Sequence, residues 1–242
     1  YRQTESGIYV YVSAFQYISD NYMFTLMFAS ENQSYISSTE KKQIASSFKI
    51  KDTVNNSNGI PFTDVTKGDW YYDCVKYTYE RDLLKGANDY EFRPSKNITR
   101  GMIVTILWRM EGEPKLTGGK AFSDVTSGQY YYQAVKWASS KGIVNGYNSG
   151  KFGPNDAITR EQLAVILQNY AKYKGKNINK TTATSKYVDW YKVTGYARPA
   201  MQWAVATGVI TGKYEGTKVD PQGTATRAEA AGMLYNYCTK IK

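Results

Sequence analysis

The chain has 242 residues, 42% of them hydrophobic, enough for a packed core in one or two domains, and its longest apolar stretches, such as Met23 to Ala29, exclude a membrane-spanning helix. It contains no histidine, which excludes His-based triads, His metal ligands and the commonest general acid/base, and two cysteines are too few for a zinc site or a disulfide framework. The formal charge is +10; residues 1–61 are balanced at five basic and five acidic residues, so the excess lies in 62–242 and favours a polyanionic partner, with solubility alone the equal alternative.

The chain begins at Tyr1 with neither an initiator Met nor a signal-peptide pattern, and so reads as the remainder of a processed or longer protein. Ile8 to Tyr17 and Tyr22 to Ala29 are predicted strands around the turn Ser19-Asp20-Asn21, followed by a helix opening at Ser37 with Glu40 three residues on. Two strands and one helix are marginal alone, so residues 1–50 are expected to be the tail of an α+β domain. Residues 51–61, with Asn55-Asn56-Ser57-Asn58-Gly59, are expected to be a linker.

From residue 62 the chain repeats itself. Phe62-Thr63-Asp64-Val65 returns as Phe122-Ser123-Asp124-Val125, and the same offset carries Lys76, Gly86, Phe92, Pro94, Ile98, Thr99 and Arg100 onto Lys136, Gly146, Phe152, Pro154, Ile158, Thr159 and Arg160. A looser third copy holds Val188-Asp189, Trp203-Ala204, Gly208, Gly212, Pro221 and Thr226-Arg227, with two single-residue insertions. Each copy reads as helix, loop, helix. Tyr131, Ala134, Val135 and Ala138, then Ala197, Ala200, Met201 and Ala204, give first helices an apolar stripe at i, i+3, i+4, i+7. The later helices carry the same stripe as Ile103, Ile106, Leu107, Met110, as Leu163, Ile166, Leu167, Tyr170 and as Ala230, Met233, Leu234, Tyr237. One unit of this size buries its stripe poorly alone, so the three are expected to stack as a solenoid or close as a threefold bundle. The predicted spans are 62–112, 122–175 and 187–242, joined by a Gly-containing linker and a Lys/Asn/Thr-rich one. A bridge between Cys74 and Cys238 would staple this array into a ring, and two unlinked thiols are the alternative.

Each later helix opens on Thr-Arg. Thr226 with Glu229 is a capping box, Thr159 with Gln162 its Gln version, and Thr99 lacks the returning side chain. Capping accounts for Thr but not for Arg100, Arg160 and Arg227, because a cation in a first turn opposes the helix dipole by about 0.3–1 kcal/mol. Either a neighbouring carboxylate such as Asp64, Asp124 or Asp189 compensates each Arg, or an anionic ligand does. Trp70-Tyr71-Tyr72 and Tyr130-Tyr131-Tyr132 stand at the start of the first helices; exposed rings there suit sugar faces, while Trp70, Trp137 and Trp203 could equally be core. For catalysis a carboxylate pair such as Asp64 with Glu80 is the only candidate chemistry, and threefold repetition argues for avidity instead. No metal or cofactor is expected. The basic residues are scattered and no nucleic-acid reading motif occurs.

Phe-x-Asp-Val, the aromatic-rich helix, Lys-Trp-Ala-x3-Gly-Ile-Val-x-Gly-Tyr at 136–147, Phe-x-Pro at 152–154 and Ile-Thr-Arg-Glu at 158–161 together resemble the S-layer-homology module over residues 62–237. The resemblance implies a mainly α fold, three helix-loop-helix repeats in a pseudo-threefold bundle with grooves between them, here preceded by a small α+β segment of hairpin plus helix. It also implies an extracellular, non-enzymatic role: anchoring a surface protein to the wall or S-layer by binding an anionic secondary cell wall polysaccharide, commonly a pyruvylated amino sugar. On that resemblance Arg100, Arg160 and Arg227 contact the acid, and Asp64, Asp124 and Asp189 line or brace the grooves. Gly86, Gly146 and Gly212 permit close backbone approach, and Trp70 and Tyr130 offer rings. Arg-Gly-Met in the first copy and Tyr187-Val188-Asp189-Trp190 in the third depart from the family pattern, leaving the second copy with the best-formed motif. The alternatives are a wall-targeting part of a glycan-acting hydrolase and a lattice protein whose repeats bind each other.

Overall fold

A computed structural model describes residues 59–115 and 118–241 in full, and the backbone strands at 2–3, 9–19 and 22–30. The chain divides into two compact units, Tyr1–Val54 and Asn55–Lys242. In the first, β2 (Tyr9–Ser19) and β3 (Tyr22–Ser30) pair antiparallel from Ser19↔Tyr22 to Tyr11↔Ser30, and β1 (Arg2–Gln3) adds to the free edge of β2. Ser19, expected in the turn, stays in the ladder opposite Tyr22. The helix expected at Ser37 lies outside the described residues.

The second unit holds three helix pairs: α1 (Tyr72–Glu80) with α2 (Arg100–Met110), α3 (Tyr132–Ser140) with α4 (Arg160–Tyr173), and α5 (Arg198–Ala206) with α6 (Arg227–Lys240). The first helices are short and begin without a side-chain cap, so packing rather than local signals holds them. The second helices start on the Thr caps. Thr226 and Thr159 form full capping boxes with Glu229 and Gln162, while Thr99 only accepts from the Met102 N–H. The third repeat differs at its entrance, where 3-10 turns at Trp190–Lys192 and Gly195–Ala197 lead into α5 and Pro199 lies in its first turn. Pro is at home there because first-turn N–H groups have no intrahelical acceptor.

The apolar stripes form one core. Tyr131, Ala134, Val135, Ala138, Ala197, Ala200, Met201 and Ala204 are buried, as are the stripes of α2, α4 and α6 apart from the half-buried Met110. Trp137 and Trp203 lie inside this core, whereas Trp70 does not.

Helix packing decides between solenoid and closed bundle. α2 packs on α3, α4 on α5, and α6 on α1, so each second helix meets the first helix of the following repeat and the third returns to the first. Main-chain hydrogen bonds close the same circle: Ile158 N–H donates to Ile98 O at 3.1 Å, Ala225 N–H to Ile158 O at 2.8 Å and Ile98 N–H to Ala225 O at 3.0 Å. A solenoid would leave one donor and one acceptor of that set unpaired and two stripes facing water; the ring leaves none. The repeats meet again where the second helices end. Glu111 accepts from Tyr170 Oη at 2.6 Å and Lys174 Nζ at 2.9 Å, and the Tyr170 and Tyr237 rings lie 5.4 Å apart. Burial pushes both phenols far above their usual ionisation, so Tyr170 remains a hydrogen-bond donor. Cys74 on α1 and Cys238 on α6 are half-buried and unbridged, their thiols pushed up by burial.

Candidate ligand grooves

Each repeat carries a loop between its helices that ends in a residue, a left-handed residue and a proline: Phe92-Arg93-Pro94, Phe152-Gly153-Pro154 and Val219-Asp220-Pro221. The central φ values are +57° at Arg93, +69° at Gly153 and +48° at Asp220. This conformation turns two successive N–H groups to one side, a nest for an anion. The repeat's own aspartate fills it. Asp64 accepts from Phe92 N–H at 2.8 Å and Arg93 N–H at 2.7 Å, and Asp124 from Phe152 N–H at 2.8 Å and Gly153 N–H at 2.7 Å. Asp189 accepts from Val219 N–H at 2.9 Å and Asp220 N–H at 2.8 Å. Burial alone would raise the Asp124 carboxyl, but the hydrogen bonds from Phe152 and Gly153 prevail and hold it below the usual range.

With its N–H groups so engaged, the loop turns its carbonyl toward the arginine of another repeat. Arg100 Nε donates to Phe152 O at 2.9 Å, Arg160 Nε to Val219 O at 2.9 Å, and Arg227 Nε to Phe92 O at 2.7 Å. Aspartate and arginine are thus linked through a main-chain carbonyl, not by an ion pair. The three arginines are 6%, 4% and 6% exposed, and burial pulls each guanidinium below its usual ionisation without discharging it. The helix starts are tied to the same loops: Gly101 N–H donates to Pro154 O, Glu161 N–H to Pro221 O and Ala228 N–H to Pro94 O.

Beyond this common frame the surroundings diverge. Arg100 lies over the Tyr147 and Phe152 rings at 4.6 and 4.9 Å, and Tyr196 of the third repeat is close enough to act on its charge. Arg227 lies over Phe92 at 4.6 Å and gives a second bond, from Nη2 to Lys85 O at 2.6 Å. Arg160 Nη2 donates to Thr211 O at 3.1 Å, and its Nη1 is 3.8 Å from Glu229. Lys213 joins that last cluster, 2.8 Å from both Glu229 and Asp220.

The sequence-selected glycines serve the loops. A Cβ on Gly86 or Gly146 would collide with the Phe62 or Phe122 ring, and one on Gly212 with the Gly216 backbone. Trp70 and Tyr130 are 68% and 55% exposed, and Tyr196, which precedes the Ala197 stripe as Tyr130 precedes Tyr131, is 62% exposed. Trp70 lies over Gly232 of α6, Tyr130 reaches Thr99 at the start of α2, and the Tyr196 hydroxyl is 3.3 Å from Glu161 at the start of α4. Each second helix therefore has one open ring beside its first turns. Sequence reasoning chose two of the three; extending the repeat alignment one residue back from Ala197 would have found Tyr196. Tyr147 and Lys213 carry no repeat signal, because these positions hold different residues in each copy. The two carboxylates considered for catalysis have other partners: both Asp64 oxygens serve the loop, and Glu80 pairs with Lys76 at 3.9 Å. Among the described residues no His/Cys/Asp/Glu cluster could hold a metal ion, and no helix is long and apolar enough to cross a membrane.

A closed ring of three helical repeats, with a buried cation and an exposed ring at each junction, is the architecture of a repeat-built binding module. The chain belongs to the S-layer homology domain family, whose model matches residues 61–101, 121–164 and 186–231. Such domains anchor surface proteins to the cell wall and place this chain outside the cell, in the wall or S-layer. It is 33% identical over 74% of its length to an amylopullulanase of Thermoanaerobacterium thermosulfurigenes, covering 10% of that protein. It is 27% identical over 77% of its length to an endoglucanase of Bacillus sp. (strain KSM-635), covering 20%. It is 30% identical over 73% of its length to the S-layer protein sap of Bacillus anthracis, covering 21%. The chain thus spans between a tenth and about a fifth of these relatives.

Proposed function

We propose that this chain holds an anionic secondary cell wall polysaccharide in the grooves at Arg100, Arg160 and Arg227, and that the group bound is the ketal carboxylate of a pyruvylated amino sugar. One observation carries this. Arg100 and Arg227 are buried cations; Asp156 and Asp124 act on the first and Asp64 on the second, yet among the described residues no carboxylate lies within ion-pair distance of either. A buried charge without a counter-ion is costly unless a partner supplies one, and a ligand acid at a helix start does so. Trp70, Tyr130 and Tyr196 offer faces for the sugar, with Asp64, Asp124 and Asp189 bracing the loops and Gly86, Gly146 and Gly212 letting them pack close. The binding units are 62–112, 122–175 and 187–242, with 51–61 as the linker from 1–50. Relatives include both glycan-acting enzymes and S-layer proteins, so the rest of the protein is either an enzyme held at the wall or a lattice protein. Self-association of the repeats is the competing reading, and assembly that depends on concentration without any glycan would favour it.

Co-sedimentation with purified walls tests the proposal. The chain should pellet with intact walls and stay in the supernatant after mild acid removes the pyruvate ketals. Equal pelleting before and after that treatment would count against the ketal acid as the bound group.

A further inference from the structure

We infer that the three grooves are unequal: the Arg100 groove takes the ligand carboxylate first, and in the Arg160 groove the protein's own Glu229 carboxylate holds the ligand's place. This rests on the reading of the grooves as acid-sugar sites.

The difference begins with a main-chain carbonyl. In two repeats the residue before the loop glycine accepts from the arginine, Thr211 O from Arg160 Nη2 and Lys85 O from Arg227 Nη2. At the corresponding Asn145, Lys120 Nζ donates to the carbonyl instead, at 3.1 Å. Arg100 therefore spends only Nε on the protein, and both terminal nitrogens lack a partner among the described residues. Neither is sealed from water, because among the described residues no polar side-chain atom is both buried and unpaired. A guanidinium in a residue only 6% exposed thus keeps both terminal nitrogens within reach of solvent, and such a pair can receive a carboxylate through two parallel hydrogen bonds. The Tyr147 and Phe152 rings fix its plane, and the exposed Tyr196 stands nearby. The third residue of α4, at the alignment position of Glu229, is the neutral Gln162; Asp156 acts on the Arg100 charge but lies beyond ion-pair distance and accepts from Tyr147 Oη at 3.0 Å.

In the Arg160 groove that third residue is Glu229, and Lys213 occupies the position that Tyr147 has in the second repeat and Ala87 in the first. Arg160 and Lys213 face Glu229 and Asp220, two cations against two carboxylates, with contacts of 3.8, 2.8 and 2.8 Å. An incoming acid must displace a carboxylate already there. Lys213 binds Asp220 as well, and that hydrogen bond holds the Asp220 carboxyl below its usual range. The Arg227 groove lies between these extremes: Nε and Nη2 are spent on carbonyls, Met102 is the third residue, and one terminal nitrogen is left for a single contact.

Calorimetric titration of the full chain with a short pyruvylated amino-sugar oligosaccharide tests the order. Tyr196→Ala, at an exposed ring, and Tyr147→Ala, which installs the residue natural to the first repeat, should each weaken the tightest site at least about tenfold. Glu229→Gln retains a Gln capping box like that of Gln162 and should add one further site. Unchanged tight binding in both tyrosine variants, or an unchanged number of sites in Glu229→Gln, would overturn the inference while leaving the groove reading intact. Absence of any binding by the wild-type chain would overturn both.

Discussion

Asp124 shows how one side chain sets the surroundings of an arginine with which it forms no ion pair. Its two oxygens accept the Phe152 and Gly153 N–H groups, and the Phe152 carbonyl thereby faces Arg100. Hydrogen bonds to a charged acceptor contribute about 1.5–3 kcal/mol, so Asp124→Asn should lower the unfolding free energy by about 2 kcal/mol at pH 7. Because the folded pKa is depressed, this stabilisation is complete above the unfolded value of about 4 and is lost as pH falls through the lower folded value. Denaturant midpoints of wild type and variant should converge in that acid window; a constant gap down to acid pH would contradict the assignment. The recurrence of Asp and Arg was legible in the sequence because repetition marks both. Their connection was not, since the atom between them is a main-chain carbonyl whose direction is set by a left-handed residue that is Arg in one loop, Gly in the next and Asp in the third.

At the scale of elements, the second helices were readable because the Thr cap and the apolar stripe agree in all three, joined in two of them by the side chain three residues on. Thr226→Ala removes a complete box and should cost about 1 kcal/mol. Thr99→Ala, where the returning side chain is absent, should cost less. A thermal-melt comparison of the pair checks this, and equal losses would mean that packing, not capping, sets the helix start. The entrance to the third repeat was harder to read. One of its two inserted residues is absorbed in the 3-10 turns before α5, which have no apolar periodicity of their own, and Tyr196 emerges from the second of them. The first helices lack side-chain caps and depend on partners distant in sequence.

For the whole molecule, three copies could be counted from the sequence, but open and closed arrangements satisfy the same stripes. The choice is made by the Ile98, Ile158 and Ala225 backbone ring and by α6 returning to α1, contacts between the ends of the array that no local pattern encodes. Deleting residues 187–242 removes one member of that ring and bares the faces of α1 and α4. The shortened chain should lose cooperative unfolding and its near-UV aromatic signal; a sharp transition near the wild-type temperature would favour independent repeats. Closure also sets the arginines, since each donates to another repeat's loop. The most direct test of the account is therefore chemical: the affinity of the intact chain for a pyruvylated amino-sugar disaccharide and for the same disaccharide without its ketal, measured side by side by fluorescence titration. A charge-assisted contact of about 1.5–3 kcal/mol predicts at least about tenfold tighter binding of the acid form. Equal affinity for the two sugars would contradict it.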